Sequence, residues 1–248
     1  MNGTMRHIGA VTVKVLNQLR RDPRQIALSL IFPLVIIYFI KVLVDALANP
    51  MFDPSIYIVP YGAFIVHFIT FLLVSIVLVG ERTEGTLDRM FVSGYIQLEI
   101  VSGYLLAYSL LVTIQSLLIL LELNLLFDLG YGIGQLASIY LIMWLLAVIS
   151  MILGMLASNF CRNAGQVLPF IPLVLISVIV SGILIPFDKL PTWAQLISYV
   201  TPLYYANEIL QGLIRGGGLV DDWAWLASLS AYGLILLAMA TLTLRELD

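Results

Sequence analysis

From Ala27 to Ala48 the chain carries only two charged residues, Lys41 and Asp45. Five further stretches are at least as apolar: Ile56–Val79, Ile100–Phe127, Gln135–Phe160, Val167–Pro186 and Trp223–Leu244. Each is close to or above the roughly 20 residues that a helix needs to cross a bilayer, and no soluble core has use for six of them. Composition agrees, with 61% hydrophobic and 11% charged residues against roughly half and a quarter in a soluble domain. The expected fold class is an all-α membrane protein with six transmembrane helices, a single domain over residues 1–248. The gaps between the runs are too short for a separate soluble domain.

The same numbers exclude several functions. A net charge of −3 offers no basic field for nucleic acid. Cys161 is the single cysteine, and His7 and His67 are the only histidines, too few for a structural zinc site. Gly130, Gly132 and Gly134 form a Gly-x-Gly-x-Gly string without the strand and helix of a dinucleotide site, and are read as a turn.

The segment Met1–Arg24 does not fit a signal peptide. Ile8, Val11, Val15 and Leu19 recur at helical spacing while Lys14, Asn17, Gln18, Arg20 and Arg21 fall mainly elsewhere, which predicts a helix over 5–21 lying in the headgroup plane. Val13 interrupts the stripe, so an irregular basic tail is the alternative. Asp22 and Pro23 read as the cap and first residue of the next helix. Asn49-Pro50 and Asp53-Pro54 mark the following turn.

Nine of the twelve Lys and Arg residues, namely Arg6, Lys14, Arg20, Arg21, Arg24, Arg82, Arg89, Arg162 and Arg245, fall on one side of the spans. Lys189 and Arg215 fall on the other, and Lys41 lies within a span. Both termini and the charged island Glu81–Glu99 are therefore expected in the cytoplasm.

Residues 190–215 are apolar enough for a seventh span, but Thr201-Pro202 breaks them and Glu208 lies in the second half. Two short half-helices result. Leu190, Trp193, Leu196, Ile197 and Val200 form the stripe of the first, Thr201 caps the second, and Gly216–Gly218 end it. A re-entrant hairpin at the outer face is expected, with packing of a surface loop as the alternative. Tyr199, Tyr204, Tyr205, Trp193, Trp223 and Trp225 suit an interface belt.

Lys41 and Asp45 are four apart and can pair, with Glu122 as a further partner. They read either as a polar lining for substrate release or as a neutralised set that locks helices together. His67, midway along the second span, reads as a hydrogen-bonded core residue rather than a proton carrier. Ser75 or Ser116 beside His67 is too little for an intramembrane enzyme. A gradient-driven transporter calls for inverted repeats and midplane acids, and neither is found.

Within the charged island, Gly85 and Thr86 look like a turn and N-cap, Asp88 sits in the first turn, and Leu87, Met90, Phe91 and Tyr95 share a face up to Ser93-Gly94. This predicts a short amphipathic helix within 81–95 that offers its charges to a cytoplasmic protein, although a solvated face is the commoner use of such a cluster.

Two stretches resemble the permease subunits of type 2 ATP-binding-cassette exporters of the multidrug or lipid-efflux kind. "ERTEGTLDRMFVSGYIQLEIVSGYLLAY", Glu81–Tyr108, resembles their coupling loop, and "SGILIPFDKLPTWAQLISYVTPLYYANEILQGLIRGG", Ser181–Gly217, their fifth span and outer hairpin. Gly94 and Tyr104 stand where that family often has a proline and a lysine. The resemblance implies that Glu81, Arg82, Glu84, Gly85, Thr86, Leu87 and Arg89 couple to an ATPase. It also implies that Pro186, Pro191, Trp193, Pro202, Tyr205 and Glu208 belong to the outer hairpin or gate. The chain holds no Gly-x-x-x-x-Gly-Lys-Ser/Thr phosphate loop, so no cofactor is expected on it, with ATP and Mg on a partner. The implied assembly has two copies of that nucleotide-binding subunit and a second or sister permease, in the cytoplasmic membrane of a prokaryote. Export of a hydrophobic or amphiphilic substrate is the expectation, with a polysaccharide or glycolipid as the alternative.

Overall fold

The computed structural model describes residues 2–47 and 55–244, and every regular element among them is helical. Ala48, the two proline turns at 49–54 and Arg245 lie outside the described residues. Helix α1 (Asn2–Arg21) passes through Asp22 into α2 (Pro23–Leu47). The junction forms as its residues dictate: Asp22 Oδ1 accepts from the backbone N–H of both Arg24 and Gln25 at 3.1 Å, and Pro23 has no N–H to leave unpaired. Next come α3 (Ser55–Thr83), α4 (Thr86–Val92), α5 (Gln97–Phe127) and α6 (Ile133–Ser158). A 3-10 turn (Ala164–Val167) leads to α7 (Phe170–Val180), and a second (Phe187–Lys189) to α8 (Thr192–Ser198), α9 (Pro202–Ile214) and α10 (Trp223–Thr243). Of the three glycines read as one turn, Gly130 lies in the turn and Gly132 caps α6, whereas Gly134 is already helical.

Among the described residues five helices, α2, α3, α5, α6 and α10, are long and apolar enough to cross a membrane. The run expected as the fifth span, Val167–Pro186, is not one continuous helix. It stops at Val180 because Gly182, at φ +85, turns the chain. The carbonyls released there are taken by side chains of the next two helices: Ser198 Oγ donates to Val180 O at 2.6 Å and Asn207 Nδ2 to Ser181 O at 3.0 Å. Apolar surroundings would leave such groups unpaired.

Helix α6 packs against α3, α5, α9 and α10. Lipid tails are as apolar as leucine, so close packing and hydrogen bonds hold these helices rather than hydrophobic burial. Gly154 shows how. A Cβ there would stand 2.8 Å from Phe71 O and 3.1 Å from Ser75 Oγ, so α3 and α6 meet backbone to backbone. Ser75 Oγ donates to Phe71 O at 2.7 Å and lies 3.2 Å from Gly154 O.

The 190–215 segment forms two helices parted at Thr201-Pro202. One local expectation is corrected. Thr201 makes no side-chain cap; its hydroxyl turns back to Ser198 O at 2.9 Å. Of the stripe of the first half-helix, Trp193, Leu196, Ile197 and Val200 are exposed, whereas Leu190 is buried, as are Ala194 and Ser198. In a lipid setting the small residues pack and the large ones face outward.

Candidate functional site

The charged island folds into the end of α3, the whole of α4 and the start of α5. Gly85 lies at φ +67 between α3 and α4, and Gly94 at φ +86 follows α4, a left-handed geometry that glycine adopts without a Cβ penalty. Gly85 takes the N-cap position, and the Thr86 hydroxyl accepts from Arg89 Nη2 at 3.0 Å instead of capping. Leu87 is buried, with Met90, Phe91 and Tyr95 half-buried on the same core.

The seven residues expected to meet an ATPase divide into two groups. Glu81 and Arg82 are 3% and 4% exposed and face the protein itself. Glu81 Oε2 receives Lys14 Nζ of α1 at 2.5 Å, and that amine also reaches Tyr104 OH of α5 at 3.2 Å. Arg82 points across to the end of α6, where Nη1 donates to Ser158 O at 2.5 Å and Nη2 to Asn159 Oδ1 at 2.9 Å. Asn159 carries the link to α10 through Ala240 O at 3.0 Å and Thr243 Oγ1 at 2.9 Å. Leu87 is likewise internal. Glu84 and Arg89 are exposed, with Gly85 and Thr86 partly so.

Val92, 88% exposed beside them, was not singled out in the sequence. An apolar residue off the Leu87–Phe91 face was the available signal. His7, Lys14 and Asn159 were missed as partners because they lie 67 to 92 residues from the groups they bind.

Helix α1 is bound to the same site. His7 Nδ1 donates to Glu99 Oε2 at 2.8 Å, and Glu99 Oε2 also accepts from the backbone N–H of Ile96 at 3.2 Å, closing the first turn of α5. A Cβ on Gly103 would lie 2.5 Å from Val11 Cβ, so α1 rests on α5 at that glycine. Between α1 and α4 runs an open groove of about 270 Å³ with Lys14, Arg89, Met90 and Tyr95 in its walls.

The other candidates stand apart. Lys41 Nζ pairs with Asp45 Oδ1 at 2.6 Å and lies 5.4 Å from the Phe127 ring centroid. Glu122 is not the third member. No ion pair joins it to either among the described residues, and its Oε2 is buried without a hydrogen-bond partner. His67 is 1% exposed and bonds through Nδ1 to Ser150 Oγ at 2.6 Å, joining α3 to α6.

In the hairpin, Pro186, Pro191 and Trp193 are exposed and Pro202 is buried. Tyr205 OH donates to Tyr199 O at 2.9 Å. Glu208 is half-buried, and burial pushes its carboxyl above the usual range, Arg215 drawing it back and Asp188 and Asp222 adding to the rise.

A family model described as ABC-2 type transporter matches residues 6–214. ABC transporter G family member 20 of Dictyostelium discoideum is 28% identical over 184 residues, covering 71% of this chain and 24% of its own length. The probable multidrug ABC transporter permease YbhR of Escherichia coli is 24% identical over 163 residues, 65% of this chain and 44% of its own. The linearmycin resistance permease protein LnrN of Bacillus subtilis is 28% identical over 163 residues, 65% of this chain and 40% of its own. The chain thus matches less than half the length of each of these relatives.

Proposed function

The chain belongs to the ABC-2 type transporter family, and from that membership we propose that it is the permease of an ATP-driven exporter. In this reading α7 with its flanking turns completes a sixth crossing, and both termini and α4 lie in the cytoplasm of a prokaryote. Helix α4 is the coupling helix, held in a groove of a nucleotide-binding partner that carries ATP and Mg. Two such partners and two permease copies make the assembly. The cargo is hydrophobic or amphiphilic, a reading supported by the multidrug and linearmycin-resistance relatives.

The observation that carries the proposal is the division of roles around α4. Glu84, Arg89 and Val92 face outward, while Glu81 and Arg82 fasten the root of the helix to α1, α6 and α10. Leaving a buried polar or charged group without its partner costs about 1–3 kcal/mol, so the root resists displacement. Closure of the ATPase pair then moves α4 together with the helices tied to it, shifting the membrane halves between arrangements. The α8–α9 hairpin, with Pro186, Pro191, Trp193, Pro202, Tyr205 and Glu208, closes the outer end. Lys41 and Asp45 neutralise one another near it.

The test is reconstitution of the chain with its ATP-binding partner in vesicles, following ATP-driven movement of a fluorescent amphiphile. Transport that disappears in the folded Val92→Asp protein supports the assignment. Wild-type transport by Val92→Asp combined with Glu84→Lys would remove α4 as the coupling element.

A further inference from the structure

Among the helices of the bundle, α2, α3 and α5 line a small, partly open cavity, with about 10 Å³ of room for the centre of a water molecule. Its walls include Leu73 and Leu111, but four polar side chains also line it: Ser29 of α2, Thr70 of α3, and Tyr108 and Gln115 of α5. All four are buried, Ser29 and Gln115 at 1% exposure. A space of this size lined by apolar groups stays dry, whereas one with several polar partners holds water.

The hydrogen-bonding inventory shows what is left over. Thr70 Oγ1 donates to Gln115 Oε1 at 3.3 Å, which occupies the carbonyl half of that amide. The other half, Gln115 Nε2, is buried and has no partner. Tyr108 OH accepts from Gln25 Nε2 at 2.8 Å and so keeps its own proton to give. The cavity therefore brings together surplus donors, Gln115 Nε2 and Tyr108 OH, and hydroxyl oxygens on Ser29 and Thr70 that accept. A water molecule, with two protons and two lone pairs, can accept once from each of the two donors and donate once to each of the two hydroxyl oxygens.

We propose that one ordered water molecule is bound here, accepting from Gln115 and Tyr108 and donating to Ser29 and Thr70. It joins α2, the least buried of the five long helices among the described residues, to α3 and α5.

Radiolytic hydroxyl-radical footprinting of the protein in lipid nanodiscs tests this, since bound water split by X-rays oxidises the side chains beside it. Leu111 lines the cavity, and Leu120 lies on the same helix, equally buried, outside its lining. Leu111 is expected to oxidise several-fold faster than Leu120, and the ratio to fall towards one in Gln115→Leu. Ser29→Ala and Thr70→Val remove single acceptors and lower the ratio in turn, which keeps the test available if Gln115→Leu does not fold. A wild-type ratio near one overturns the proposal. So does a several-fold ratio that persists in the folded variants, because the water is then not held by these groups.

Discussion

Glu81 and Arg82 are neighbours in sequence and leave α3 towards different partners, Glu81 to Lys14 of α1 and Arg82 to Asn159 beyond α6. One turn of helix thus ties together elements from opposite ends of the chain. Arg82→Lys keeps the charge but replaces a planar fork with a single amine, and that amine cannot serve Ser158 O and Asn159 Oδ1 as the guanidinium does. The expected cost is about 1–3 kcal/mol from the polar groups left unpaired, seen as a lower unfolding midpoint in detergent. An unchanged midpoint would contradict the anchoring role.

Glu84→Lys and Val92→Asp act on exposed positions of the α4 segment. Their effect on stability is expected to stay within about 0.5 kcal/mol, while capture of the ATP-binding partner and ATP-driven transport fall. Thermal melting and pull-down on the same preparations separate the two effects, and parallel loss of both would point to a folding defect.

Gly85 occupies the left-handed region, so Gly85→Ala costs about 1–2 kcal/mol, and Gly85→Pro cannot adopt the angle at all. Both variants should still insert in the membrane, because the spans are untouched. Protease accessibility of α4, compared with wild type, reports the displaced helix, and unchanged cleavage would mean that the turn does not set its position.

Gly154→Ala places a methyl against the carbonyl of Phe71, a backbone atom with little freedom to withdraw. The α3–α6 contact should open, with a lower melting temperature and loss of monodisperse protein. Gly80→Ala meets nothing within 4 Å and serves as the matched control.

The α8–α9 hairpin should respond to pH. Burial raises the carboxyl of Glu208, with Asp188 and Asp222 adding and Arg215 opposing, and burial followed by Asp221 raises that of Asp222. The folded hairpin therefore holds protons that the unfolded chain has released. Its stability is greatest at acidic pH and declines as pH climbs from the ordinary carboxylate range through the raised folded values. Hydrogen exchange of residues 202–222, corrected for the intrinsic rate, should show protection falling along that course and flattening in Glu208→Gln. Protection that rises with pH would contradict this sign.

Turn chemistry was readable because it is local: Asp22-Pro23, Ser93-Gly94 and Thr201-Pro202 each interrupt or start a helix where their dihedral preferences require. The direction in which a face points was not. Periodicity located the α8 stripe but not its outward aspect, since lipid reverses the usual pairing of apolar with inside. The charged island was visible as a cluster, yet its division into anchors and exposed residues depends on Lys14 and Asn159, each far away in sequence. Glu122 failed as a partner for the Lys41–Asp45 pair for a related reason, because spacing along one helix says nothing of the rotation of another.

The way α7 ends bears on how members of this family diversify. Its last carbonyls are completed by Ser198 and Asn207, residues of the very segment that would be exchanged to alter the outer face. The hairpin is thus no interchangeable cassette. A graft from a relative has to bring its own donors at those two heights, or the recipient inherits a helix end with nothing to close it, and lineages that changed this face are expected to have changed both positions together.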